Sequence, residues 1–304
     1  PGLYTAQRRA KEIETQMANN FLQIKTIEIK KEVSSLYFKI QNLKNKQLFL
    51  ANLLTTYENL AKNSKTEKEL GNINNLDLLD IQFTKQQFYL KIKAIESEIK
   101  SNFILLQTIM NYKDSFNIVA ENEIIAENFS DSNLNISLEM FTLENALAGT
   151  NIKIEKRKTL PNFSINYYIG TNHYTNSDYY HGFEIGIAFP LFYGNQKAQI
   201  KSSVIALESQ NQLNEYKSQL LYNKIMQYNI EIEKLKEQID FYQNSGNQLK
   251  DELVRTATKL YELGEIDLKR LNMSLENALQ IQMEYLENVY NYNIKMIELI
   301  YLTN

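Results

Sequence analysis

His173 and His181 are the only imidazoles in the chain. A metal site built on them would need further ligands at suitable spacing, and none accompanies them; the chain has no cysteine at all. Both histidines read as exposed residues beside a polar loop. Glycines near the other candidate positions stand singly, in Ile169-Gly170-Thr171 and Phe192-Tyr193-Gly194, so no phosphate-cradling loop is formed. Carboxylates are spread over helix faces among lysines, as Glu28, Lys31 and Glu32 are, instead of converging in a pocket. Asp77 and Asp80, three residues apart, share a helix face near the start of a helix, where the dipole favours acids. No nucleophile–base constellation is present, so these residues argue against an enzyme, and neither a cofactor nor a metal is expected.

Composition narrows the class further. The 304 residues carry a formal net charge of −3 with acids and bases interspersed, which gives no footprint for nucleic acid. Nine glycines and three prolines leave long stretches uninterrupted. No apolar run reaches the roughly 18 residues of a transmembrane helix.

The elements that position these residues are long helices. Thr5 to about Ala61 has apolar residues at spacings of three and four, with Ile13, Met17, Phe21, Ile24 and Ile27, then Ile29, Val33, Leu36, Ile40 and Leu43 in a shifted phase. Such a helix spans roughly 80 Å and belongs in a coiled coil or helical barrel. Asn63–Asn75 breaks the pattern. A return helix follows to about Tyr112, with Leu79, Phe83, Leu90, Ile95, Ile99, Phe103 and Leu106 as its stripe. Lys113–Asn135 is irregular and acidic, and Leu138 to about Lys158 is a shorter helix. Asn195 to about Tyr261 is again one long helical pattern, with Asn244-Ser245-Gly246 as a kink signal and Leu263-Gly264-Glu265 as a turn. The last helix carries Leu271, Leu275, Ala278, Gln282, Tyr285, Val289, Tyr292, Met296 and Leu299 in a strict heptad seam.

Between the helical stretches, Asn162–Asn172 and Tyr179–Phe189 alternate with period two. Phe163, Ile165, Tyr167 and Ile169, then Phe183, Ile185, Ile187 and Phe189, fall on one face, with small or polar residues between them. A polar connection, Thr171–Asp178, makes the two a hairpin. Each strand has eleven residues, against the roughly 9–11 needed to cross a membrane at a tilt. Tyr167, Tyr168, Tyr174, Tyr179 and Tyr180 near the loop suit an interfacial girdle. A soluble hairpin packed on helices explains the same alternation.

The chain also repeats itself. Pro1, Tyr4 and Gln7 match Pro190, Tyr193 and Gln196, each set leading into a long helix; Glu69-Leu70-Gly71-Asn72-Ile73 matches Glu262-Leu263-Gly264-Glu265-Ile266 at the far end. The separations from Gln7 to Gly71 and from Gln196 to Gly264 differ by about one helical turn. The expected division is therefore 1–135 as a first repeat and 136–304 as a second. Because Pro190 closes a strand, Pro1 is expected to follow an equivalent strand, so the sequence is expected to start part-way through its first repeat.

Leu160-Pro161-Asn162-Phe163-Ser164-Ile165, Phe189-Pro190-Leu191-Phe192-Tyr193-Gly194-Asn195-Gln196-Lys197-Ala198-Gln199-Ile200 and the duplicated Glu-Leu-Gly-x-Ile turns resemble the TolC family of outer-membrane efflux ducts. The resemblance spans Pro1 to about Leu302. It implies a mainly α fold, a tunnel of long helical hairpins plus a membrane β-hairpin contributing to a shared trimeric barrel. It implies a homotrimer in the outer membrane and periplasm of a Gram-negative bacterium, a passive exit duct opened by a periplasmic adaptor and an inner-membrane RND pump. Lipid would face Phe163, Ile165, Tyr167, Ile169, Phe183, Ile185, Ile187 and Phe189. The adaptor would dock at tips marked by Gly71, Ile73, Gly264 and Ile266. The start of the chain and its short inter-repeat region are similar to the heavy-metal branch, some of whose members are fused behind a cation pump. Many members narrow the tip with aspartates on the second return helix; here the matching places hold Lys269 and Asn272, with Asp267 displaced toward the turn. Asp77 and Asp80 are in place in the first repeat, and three copies would form a cation-attracting ring. From the other class, the runner-up is a soluble periplasmic coiled-coil adaptor or scaffold, and the greasy hairpin discriminates the two.

Overall fold

The computed structural model describes residues 2–69, 74–114, 116–119, 124–125, 135–171, 179–189 and 194–303. The order of elements is α1 (Gly2–Glu69), α2 (Asn75–Met110), α3 (Asn135–Arg157), β1 (Asn162–Thr171), β2 (Tyr179–Ala188), α4 (Gly194–Phe241), a π-helical turn (Tyr242–Gly246), α5 (Asn247–Glu262) and α6 (Leu268–Thr303). The 68 residues of α1 correspond to about 100 Å of helix. The expected break at Asn63 is absent, because α1 runs on to Glu69. Asn, Ser and Thr weaken a helix by only tenths of a kcal/mol each, and no glycine or proline intervenes before Gly71. The kink signal at Asn244-Ser245-Gly246 lies within the π-helical turn, where the Asn247 N–H reaches back five residues to the Tyr242 carbonyl. Gly246 is buried there, and a Cβ on it would sit 2.6 Å from the Tyr242 ring.

The chain divides into two compact units, each drawing on both halves of the sequence: Pro1–Lys25 with Leu134–Tyr222, and Thr26–Asn133 with Asn223–Asn304. The second unit has an apolar interior. All nine residues of the expected α6 seam are buried, from Leu271 to Leu299. The interior forms three clusters. Leu50, Leu53 and Tyr57 of α1 meet Ile81, Phe88 and Ile92 of α2 and Ala257 of α5 near the start of α6. Leu36, Ile40 and Leu43 meet Ile99, Leu106 and Ile118. Tyr228, Ile232 and Ile239 of α4 meet Tyr285, Val289 and Met296. Burying each large side chain contributes about 1.5–3 kcal/mol, so packing, more than helix propensity, holds these helices.

The expected stripe of α2 is half right. Ile99 and Leu106 are buried, whereas Leu79, Phe83 and Leu90 are exposed and Ile81, Phe88 and Ile92 take the inward face. Phe21 and Ile29 of α1 and Val204 and Leu220 of α4 are exposed in the same way. These helices carry a second apolar stripe, which stays exposed among the described residues.

In the first unit, polar side chains hold α3 between the early turns of α1 and α4. The Asn20 amide donates to the Ile136 carbonyl (3.0 Å) and to Glu139 (3.3 Å). The Asn214 amide donates to the Phe141 carbonyl and to Asn145, both at 3.0 Å. Gln210 donates to Glu144 at 2.8 Å and to Asn214 Oδ1 at 3.0 Å. Gln196, one of the repeated motif residues, ties the start of α4 to α3 by donating to the Glu155 carbonyl and carboxylate, both at 2.9 Å. That joint flanks the β-hairpin on both chain ends.

Candidate membrane face and hairpin tips

The strands pair antiparallel in a two-stranded sheet, ten residues each. The register puts Phe163 opposite Ile187, Ile165 opposite Ile185, Tyr167 opposite Phe183, Ile169 opposite His181 and Thr171 opposite Tyr179 on one face. The other face pairs Asn162 with Ala188, Ser164 with Gly186, Asn166 with Glu184, Tyr168 with Gly182 and Gly170 with Tyr180. Alternation in each strand thus survives pairing, and the hairpin has one greasy and one polar or small face. Two glycines lie beneath the rings of the tyrosines opposite them. A Cβ on Gly182 would lie 2.2 Å from the Tyr168 ring, and one on Gly170 would lie 2.4 Å from the Tyr180 ring. Aromatic rings lying over cross-strand glycines fix register in curved sheets.

The greasy face has no cover among the described residues. Relative exposure is 62% at Phe163, 76% at Ile165, 53% at Tyr167, 56% at Ile169 and 75% at both Phe183 and Ile185. Ile187 and, one residue beyond β2, Phe189 are exposed too. His181 sits within β2 on this face, not in the loop, and stacks on Tyr167 at a centroid distance of 5.8 Å with Nδ1 hydrogen-bonded to the tyrosine hydroxyl. His173, Tyr174 and the rest of 172–178 lie outside the described residues, as do 190–193.

At the far end of the helices, the second-repeat turn is fully described. Gly264 has φ +71°, the left-handed conformation that a side chain resists. The Gly264 N–H donates to the Tyr261 carbonyl (3.0 Å) and the Glu265 N–H to that of Leu260 (2.9 Å), which is a Schellman closure of α5. Ile266 is half-buried beside it and packs on the first apolar cluster. Gly71 and Ile73 lie outside the described residues.

The candidate gate residues are used in three different ways. Asn74 caps α2, its Oδ1 accepting from the N–H groups of Leu76 (2.7 Å) and Asp77 (2.9 Å), and Asp77 Oδ2 accepts from the Asn74 N–H (3.1 Å). Asp77 is therefore half of a capping box. Asp267 caps α6 by accepting from the Arg270 N–H at 2.8 Å. Asn74 and Asp267 each stand three residues after the matched glycines, so the repeat extends to the caps, which the motif comparison missed. Asn272 Oδ1 accepts from the hydroxyl of buried Tyr57 at 2.7 Å. Burial, then the nearby charge of Glu276, pushes the Tyr57 phenol well above its usual range, so it stays a donor. Asp80 and Lys269 are exposed. Three of the five candidates thus make hydrogen bonds of their own, and the other two are exposed. Among the described residues, no group of three or more His, Cys, Asp or Glu side chains is placed to hold a metal ion. Nor is any described helix long and apolar enough to cross a membrane.

With the greasy hairpin and the long helical hairpins in hand, the class of fold follows from solved structures. Sequence comparison finds neither a matching family model nor a similar curated protein. By structure, the chain is similar to a membrane protein from Pseudomonas aeruginosa, with a TM-score of 0.88 at 13% identity, covering 100% of this chain and 73% of that one. It is similar to the CmeC outer membrane channel of Campylobacter jejuni, TM-score 0.86 at 12% identity, covering 99% and 68%. The outer membrane protein VceC of Vibrio cholerae gives a TM-score of 0.86 at 13% identity, covering 99% and 76%. The fold of this chain is thus the fold of outer-membrane channel subunits, long helical hairpins carrying a β-hairpin.

Proposed function

We propose that this chain is a subunit of a TolC-like outer-membrane efflux duct, the passive exit channel of a tripartite pump. The uncovered apolar face of the β-hairpin carries this reading. In water, six or more large apolar side chains on one face would be a liability. In a barrel wall the same face meets lipid while the face of Ser164, Asn166, Gly182, Glu184 and Gly186 meets the lumen. The second apolar stripes, at Leu76, Leu79, Phe83 and Leu90 on α2, support a homotrimer in which neighbouring chains cover them. A periplasmic adaptor and an inner-membrane RND pump complete the assembly, with the tips near Gly71, Ile73, Gly264 and Ile266 as the adaptor's docking points. Of the gate candidates, Asp80 and Lys269 are the charges left to face a constriction, since Asp77, Asp267 and Asn272 are engaged inside the chain. Placement in the heavy-metal branch rests on the sequence resemblance.

The test is fractionation of the full chain. Extraction from membranes only with detergent, followed by a trimer mass in light scattering, is the expected result. A monomer that stays soluble with its strands intact would overturn the duct and favour a soluble coiled-coil adaptor or scaffold.

A further inference from the structure

In the second unit, the contact between α1 and α6 encloses a small cavity of about 10 Å³ whose walls include Phe38, Gln41 and Asn42 of α1 and Leu286, Val289 and Asn293 of α6. Two of these lining residues carry a buried polar atom, Gln41 Nε2 and Asn42 Oδ1, with no hydrogen-bond partner among the described residues. Gln41 is only 3% exposed. An orphaned buried amide group costs about 1–3 kcal/mol, and natural interiors rarely leave two side by side. One of these atoms is a donor and the other an acceptor, which is the pair a single water satisfies. The space matches too, because a water needs roughly 10–15 Å³ of such volume and at least two polar partners.

We propose that this cavity binds one ordered water molecule, which accepts a hydrogen bond from Gln41 Nε2 and donates one to Asn42 Oδ1. The site lies under the α6 seam, beside Asn293, whose Oδ1 accepts from the Ile125 N–H at 3.0 Å and so holds the 124–125 segment. The water makes this stretch of the α1–α6 contact register-specific. Sliding α6 along α1 would separate the hydrated amides from the α6 wall of their cavity, a cost that the apolar contact of Leu50 with the start of α6 does not carry. The partners are neutral amides, so occupancy does not depend on pH.

A structure of the full-length chain at a resolution that shows ordered solvent tests the site directly. One solvent peak within roughly 2.7–3.2 Å of both amide atoms is expected. A dry cavity, or amides turned onto protein partners with the space closed, would overturn the proposal. A melting cycle checks the coupling independently. Gln41→Leu and Asn42→Leu each strand the water and the remaining amide, so each melts lower than the parent. The double variant replaces both orphaned amides by apolar groups and melts higher than either single variant. Additive losses, or no loss in either single variant, would count against it.

Discussion

In the unit of Thr26–Asn133 and Asn223–Asn304, most side chains removed from water are leucines, isoleucines and aromatics in three clusters, with Gln41, Asn102, Gln282 and Asn293 buried among them. In the unit of Pro1–Lys25 and Leu134–Tyr222 they are Ala6, Ala10 and Ile13, together with Asn20, Thr150 and Asn214. The large apolar residues of that second group of segments point outward instead, at Phe21, Leu22, Leu213 and Tyr216 as well as along the β-hairpin. One part of the molecule is stabilised by its own core, and the other is shaped by hydrogen bonds while its apolar surface is offered elsewhere. A tunnel subunit in the proposed duct has reason for this arrangement. Helices packed on one another need a dry seam, whereas the part carrying a membrane hairpin must save its apolar surface for lipid and neighbouring chains.

The widest test of that contrast is at the hairpin. Ile165→Lys with Ile185→Lys puts two charges directly opposite each other on the greasy face, at roughly 2–4 kcal/mol each if that face sits mid-membrane. Loss of membrane association with helical circular dichroism retained is expected, while Ser164→Lys on the other face leaves association intact. Equal effects from the two faces would break the reading of a two-faced strand pair. Next in size, Leu275→Ala in the apolar unit should lose about 2–5 kcal/mol in urea unfolding. Exposed Leu213→Ala in the polar unit should change a detergent-dispersed monomer by no more than about 0.5 kcal/mol. Asn214→Leu sharpens the other side of the comparison. It removes the donor to the Phe141 carbonyl and Asn145 and the acceptor for Gln210, and a loss of about 1–3 kcal/mol is expected, with α3 exchanging amide hydrogens faster. A neutral result would mean that the polar joints do not hold α3.

How much of this was legible beforehand follows the same division. The α6 seam is legible residue for residue because its heptad face is buried throughout, although Leu286, Asn293 and Ile297 beside it are buried too, and the strands are legible within a residue because period two has no competing phase. The inward faces of α1, α2 and α4 were misjudged at Phe21, Leu79, Phe83, Leu90 and Leu220. These helices have two apolar stripes, and sequence periodicity does not say which one the chain itself covers. Asn20 and Asn214 were not recognised, since a buried amide in a polar helix looks like any solvated one. The capping use of Asp77 was legible as a dipole preference, while the tie from Asn272 to Tyr57 joins residues far apart in sequence. A smaller perturbation checks the duplicated tip. Gly264→Ala forces a side chain into φ +71° and should cost about 1–2 kcal/mol. If Gly71→Ala gives the same loss, the two turns are equivalent in backbone as well as in sequence.

The smallest effect lies in a polar joint between three helices of the apolar unit. Glu298 of α6 accepts from Lys31 of α1 at 2.8 Å and from the Tyr228 hydroxyl of α4 at 2.7 Å. Partial burial pushes the Glu298 carboxyl up, but the hydrogen bonds from Lys31 and Tyr228 and the lysine charge outweigh it, so its pKa lies below the ordinary 4.5. A depressed folded pKa means that the ionised form is favoured by folding. Its contribution is complete above the unfolded value near 4.5 and is lost as pH falls through the lower folded value. With the pair partly solvated, the amount is on the order of 1 kcal/mol or less. Glu298→Gln should therefore lower the urea midpoint by a constant amount at neutral pH, and the gap from the parent should shrink below about pH 4.5. A gap unchanged down to the acid limit would assign the glutamate to packing alone, and would make the apolar unit's stability as indifferent to charge as its three clusters suggest.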